Sequence, residues 1–164
     1  MTYTIENEKF SVSIDSKGAE LCSMRSKKTG IEYVWQADPH VWARHAPVLF
    51  PIVGRLKDKL YTVGGKEYHI TQHGFGRDLE FACTEQTDTT LAFTLTPNEY
   101  TKPMYPFDFA FTVRYVLEGN TLQKQHITAN HGDTEMYYEV GGHDAYNVAM
   151  ERDETMEDYY VDFG

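Results

Sequence analysis

Four polar side chains sit in segments unlike ordinary strand or turn. His143 lies in GGHDAYN (141–147), between two glycines and an aspartate. His73 and Arg77 lie in QHGFGRD (72–78), where two glycines flank Phe75. Arg55 follows the apolar run APVLFPIVG, whose two prolines exclude a regular central strand. Histidine gives and takes protons near neutral pH. Arginine holds a hydroxyl, carboxylate or phosphate with a rigid fork of donors. Two imidazoles and two guanidiniums converging on one cleft would suit proton transfer on a small polar substrate. The plainer alternative stays open for each. A histidine beside glycine is more often a turn or core residue, and an arginine in an acidic protein is more often ion-paired, here within reach of Asp58 and Asp78.

Metal chemistry is not expected. His40 and His45 are five apart, as are His126 and His131, and His69 and His73 are four apart. On an extended strand, residues four apart are separated by about 13 Å, too far for one metal. Gly74 and Gly76 follow His73 at once, the run before it is strand-like and no Glu follows His69, which argues against a helix sharing both imidazoles. Trp35 and Trp42 are expected to close one end of the core, with a sugar-stacking platform as the alternative. The acidic run ERDETMED (151–158) reads as a solvated loop or edge.

These residues need a scaffold, and the pattern points to strands. FSVSID (10–15) alternates Phe10, Val12 and Ile14 against polar neighbours. In FDFAFTVRYVL (107–117), Phe107, Phe109, Phe111, Val113, Tyr115 and Leu117 share one face. LEGN (117–120) turns that strand into TLQKQHITAN. Gly64-Gly65 centres a hairpin over 61–70, and Thr87–Thr90 separates a third strand pair. MYYEV (136–140) and EDYYVDFG (157–164) also read as strands, the latter with Tyr159, Val161 and Phe163 alternating. An apolar final strand with nothing beside it would be an open edge, inviting self-association. No helical period persists for three turns. The reading is an all-β antiparallel sandwich or barrel, in one domain over 1–164.

Composition sets the outer limits. The chain has 164 residues, 41% of them hydrophobic and 14% aromatic, enough for a real core. Fifteen basic and 25 acidic residues give a net charge of −10, which argues against nucleic acid and against an anionic membrane surface. Cys22 and Cys83 have no metal spacing and fit reduced residues in a cytoplasmic protein. MTYTIENEKF lacks a signal-peptide pattern, and no apolar run approaches membrane-spanning length.

Four segments together resemble the aldose 1-epimerase family, in its LacX-like subgroup: EYVWQADPHVWARHAPVLFPIVGRLKD, QHGFGRDLEF, YPFDFAFTVRY and GGHDAYN, in order from about Glu20 to Asn147. The resemblance implies the galactose mutarotase-like supersandwich, an antiparallel β-sandwich of which this chain would be the N-terminal, incomplete portion. It implies interconversion of the α and β anomers of a hexose, with no cofactor. His143 would be the general acid. His73 and Arg55 would contact the sugar, and Arg77 would suit a hydroxyl or a phosphate. The family's base is a glutamate far downstream, beyond Gly164. Asp144 stands where the family commonly has proline, able to stabilise protonated His143 or merely to cap a turn. A non-catalytic carbohydrate-binding or remnant domain and a hexose 6-phosphate 1-epimerase are the alternatives.

Overall fold

The structure, a computed structural model, describes residues 1–162. It is built almost wholly from antiparallel strands. β1 (Thr2–Glu6), β2 (Phe10–Asp15) and β3 (Glu20–Ser26) form a three-stranded meander. β4 (Val48–Leu49) is a two-residue strand inside the buried segment 46–51. β5 (Leu60–Val63) and β6 (Lys66–His69) make the hairpin around Gly64-Gly65. β7 (Ala82–Gln86), β8 (Thr90–Leu95), β9 (Phe109–Glu118) and β10 (Thr121–Asn130) form a four-stranded sheet in the order β10-β9-β8-β7. β11 (Gly141–Gly142) pairs with β4. The helical elements among the described residues are single 3-10 turns.

The two larger sheets share one core. β9 buries Phe109, Phe111, Val113, Tyr115 and Leu117, the row its period-two pattern selects. Against it pack Ile5, Val12, Ile14 and Leu21 of the meander. Tyr3 meets Phe93 edge-on at 5.2 Å. Tyr115 is fully buried, and its hydroxyl donates to the Ala19 carbonyl at 2.7 Å. That bond satisfies the one polar atom of a large core side chain and ties the sheets together. On the outer face, Arg114 of β9 grips Glu85 of β7 through Nε at 2.7 Å and an Nη at 3.1 Å. A threonine ladder runs beside it, Thr94 to Thr112 at 2.8 Å and Thr84 to Thr94 at 3.1 Å.

β10 breaks the apolar pattern. Register places Leu122, Lys124, His126 and Thr128 opposite Leu117, Tyr115, Val113 and Phe111, so a largely polar row continues the core face of the sheet. Its outer edge pairs with no strand among the described residues.

Three expectations need correction. The 107–117 run becomes strand only at Phe109, with Phe107 buried ahead of it. MYYEV joins no ladder, although Glu139 N–H donates to the Pro51 carbonyl at 2.9 Å. The described residues of the terminal run form no strand either: Met156–Asp158 form a 3-10 turn, and Thr155 and Asp158 close a reciprocal capping box. Tyr159–Asp162 pair with nothing in a sheet, and Phe163 lies outside the described residues. The open edges among the described residues lie instead at the ends of the two larger sheets, β1 and β3 in one and β10 and β7 in the other. Among the described residues no helix is long and apolar enough to cross a membrane.

Phe50 is the hub of the core. Its ring stacks on Phe111 with centroids 4.2 Å apart and planes 7° from parallel, and it also meets Phe75, Tyr105, Phe109 and Tyr138. Phe50→Ala is expected to lower unfolding stability by about 3–5 kcal/mol, the usual cost of emptying an aromatic site. Urea denaturation measures this, and a loss under about 1 kcal/mol would contradict the assignment of the hub.

Candidate functional site

The backbone of Phe50 builds the site that its ring supports. Its carbonyl oxygen accepts from the N–H groups of Phe75 and Gly76, both at 3.0 Å. This clamps the HGFG turn against the 46–51 segment. The approach is so close that a Cβ on Gly74 would lie 2.2 Å from that oxygen. Gly74 also has φ +69°, so two independent constraints require glycine.

His73 takes φ +65°, in the left-handed region where a side chain costs about 1 kcal/mol. Two bonds with Gly54 hold it there. His73 N–H donates to the Gly54 carbonyl at 2.8 Å, and Gly54 N–H donates to His73 Nδ1 at 3.0 Å. A ring nitrogen that accepts carries no proton, so His73 is neutral with its hydrogen on Nε2. Partial burial, then the positive charge of Arg77, then His143 hold its pKa below the ordinary value.

Gln72 links three of the four expected residues. Its side-chain oxygen accepts from Arg55 at 3.0 Å, its backbone carbonyl accepts from Arg77 at 3.2 Å, and its amide nitrogen lies 3.1 Å from His73 Nε2. The amide cannot satisfy both neighbours, because turning its oxygen toward Nε2–H gives up Arg55. Arg77 Nε is buried without a hydrogen-bond partner; Asp78 is 3.8 Å away, an ion-pair distance but too long for that bond.

His143 arrives from the other side. β11 pairs Gly141 and Gly142 with Leu49 and Val48. The ladder then continues irregularly, with His143 N–H to Pro47 O and Ala145 N–H to His45 O, both 3.0 Å. Asn147 anchors the far end on the Glu32 and Val34 carbonyls. The glycines serve close approach rather than an unusual backbone: neither has positive φ, and a Cβ at 141 would sit 3.1 Å from Val53 Cγ2. The His143 ring lies over Trp42, centroids 4.9 Å apart, and 6.3 Å from the His73 ring.

All four expected residues are thus gathered on one open face. His143 and Arg55 are exposed, while His73 and Arg77 are half-buried. Trp35 and Trp42 are both outside the core, and Trp35 Nε1–H donates to the Trp42 carbonyl at 2.9 Å. The two carboxylates nearest His143 in sequence are engaged elsewhere. Glu139 accepts from Val53 N–H at 2.8 Å, and Asp144 pairs with Lys124 at 2.7 Å. Gln72 and Lys124 were not singled out by sequence; Gln72 stands inside the QHGFGRD motif, whereas Lys124 carries no signal beyond its place in the inward row of β10.

Residues 1–163 match the aldose 1-epimerase family. The LacX protein of Lactococcus lactis is 33% identical over 169 residues, which cover 99% of this chain and 56% of that protein. The solved structure of a galactose mutarotase related enzyme from Lactobacillus acidophilus superposes with a TM-score of 0.93 at 46% identity, over 96% of this chain and 53% of that one. A galactose mutarotase-like protein from Lactobacillus casei gives 0.88 at 37% identity, over 93% and 52%. The chain spans about half the length of the relatives it matches.

Because His73 has a folded pKa below its unfolded one, its contribution to stability is present above the ordinary histidine value of 6.5 and is lost as pH falls through the folded pKa. Imidazole NMR should show His73 as the Nε2–H tautomer with a midpoint below 6.5. A midpoint at or above that value would contradict the Gly54 contact.

Proposed function

The chain belongs to the aldose 1-epimerase family, and we propose that it forms the acid-side wall of a site that interconverts the anomers of a hexose. The observation that carries this reading is the exposed His143 imidazole, seated on Trp42 and facing His73 at 6.3 Å. Anomers exchange by ring opening. A base takes the proton of the C1 hydroxyl while an acid protonates the ring oxygen; the C1–C2 bond rotates and the ring recloses on its other face. Acid and base must flank the sugar.

In this reading His143 gives its proton to the ring oxygen and takes it back on closure. Neutral His73 offers Nε2–H to a sugar hydroxyl, which fixes the orientation of the ring. Arg55 offers donors to further hydroxyls, and a sugar oxygen replaces the Gln72 contact. Trp42 supports the acid from behind, so the sugar approaches the opposite face of the imidazole.

The base is supplied by residues in the part of the family's length that this chain does not span. Glu139 and Asp144 being engaged supports that division. We propose further that residues 1–164 form the N-terminal part of the family's sandwich, with the polar face and free edge of β10 turned toward the remainder. A hexose 6-phosphate is the second reading of the substrate. It is favoured by Arg77, whose buried Nε lacks a hydrogen-bond partner.

Polarimetry and NMR with fresh α-galactose, α-glucose and glucose 6-phosphate test the proposal. The chain alone is expected to bind hexose, shifting the ring signals of His73 and His143, without accelerating exchange. Adding the remaining half of the family's length in trans should restore exchange, and His143→Ala should abolish it. Sugar that shifts neither histidine would remove the reading. Exchange that survives His143→Ala would remove His143 as the acid. Arg77→Ala should weaken the phosphorylated sugar more than the free one if phosphate is held there, and equal loss would favour the free hexose.

A further inference from the structure

Lys124 lies on β10, in a different sheet from the β4–β11 ladder beside which His143 sits, yet its ammonium reaches both of the segments that continue that ladder. Nζ donates to Asp144 Oδ1 at 2.7 Å and lies 3.4 Å from the Ala46 carbonyl. Ala46 and Asp144 belong to the two segments joined by the His143–Pro47 and Ala145–His45 bonds. One half-buried cation therefore ties the two segments together, next to the residue that carries the imidazole. The side chain of Lys124 is 13% exposed and that of Asp144 25%, so the cation is held closely while the carboxylate still meets solvent.

The surroundings are fitted to this pair. A Cβ on Gly142 would come within 3.0 Å of Asp144 Oδ2 and 3.9 Å of Lys124 Nζ, so the glycine leaves room for the contact. His143 itself receives no side-chain hydrogen bond that would fix its ring; it has the Trp42 face and its own backbone. The direction of the imidazole thus depends on how firmly residues 142–145 are held.

We infer that Lys124 is a positioning residue for His143, acting through Asp144 and the Ala46 carbonyl. This rests on the reading of His143 as the acid. The ion pair locks the β4–β11 ladder onto the four-stranded sheet and keeps the imidazole on Trp42. Asp144 is consumed by Lys124, so it serves neither as a partner of the imidazole nor as a base.

The test is amide hydrogen exchange and imidazole NMR on the 164-residue chain without sugar. Lys124→Met should speed exchange at the His143 and Ala145 amides by roughly tenfold or more relative to Phe111 and Val113 of β9. It should also move the His143 ring protons out of the Trp42 ring current. Lys124→Arg should keep both signatures, and Asp144→Asn should lose them in part. Unchanged His143 amide and ring signals in both Lys124→Met and Asp144→Asn would overturn the inference. So would exchange that rises equally along β9, which would mark a merely structural residue. If Lys124→Met does not fold, Asp144→Asn decides alone. Because no sugar is present, a failure of hexose binding overturns the proposed function without touching this result.

Discussion

The peptide unit at Phe50 is the constraint on which the rest of the structure depends. Its ring is fixed by the aromatic cluster, above all by the parallel stack on Phe111. Its carbonyl is spent on two N–H groups of the HGFG turn. A core that shifts moves the carbonyl, and the turn moves with it. The turn carries His73, and the segment preceding Phe50 carries the ladder on which His143 hangs. Packing density and site geometry are therefore one property in this protein, because close-packed interiors transmit displacement rather than absorb it.

Around that point the two imidazoles are held by different means. His73 is fixed by hydrogen bonds at both its backbone and its ring, and the bond at Nδ1 dictates the tautomer. His143 has a fixed backbone and a ring set by its tilted contact with Trp42. The first arrangement suits a group that must donate in one direction without changing charge. The second suits a group whose charge must change, since no bond commits either ring nitrogen. Gln72 adds a polar seam between the arginines and His73, and it is left with one contact too few whichever way its amide is turned.

Much of the scaffold was legible in the sequence because its strands are long, amphipathic and closed by glycine turns. The β9–β10 and β5–β6 hairpins follow from alternation and from LEGN and Gly64-Gly65. Alternation failed where a segment is held by irregular contacts: MYYEV and residues 157–162 have the period of strands but join no ladder. The four candidate residues stand out in the sequence as segments that break the strand pattern; the structure joins Arg55, His73 and Arg77 through Gln72 and sets the His143 ring 6.3 Å from that of His73. Their conformations were not legible there. No propensity puts a histidine at φ +65°; only the Phe50 clamp and the Gly54 bonds do so. The tryptophans read as core from size and hydrophobicity, but Trp42 sits at the surface under an imidazole. Lys124 was silent because a lysine on a strand ordinarily points outward, and its meaning lies in which row of β10 it joins.

The polar inward row of β10 has a consequence for sheet growth. An edge strand ten residues long, with the backbone groups that point away from its partner strand on offer, ordinarily welcomes an extended chain. Here Lys124, already committed to Asp144, and His126, whose Nε2 is buried without a partner, stand on the face that an incoming strand's neighbours would cover. An apolar newcomer would leave His126 Nε2 unsatisfied and bury the Lys124–Asp144 pair. Only a segment bringing its own acceptors can extend the sheet at low cost, so the edge screens its neighbour by chemistry before register is ever tested, and indiscriminate stacking into fibres is disfavoured at the first added strand.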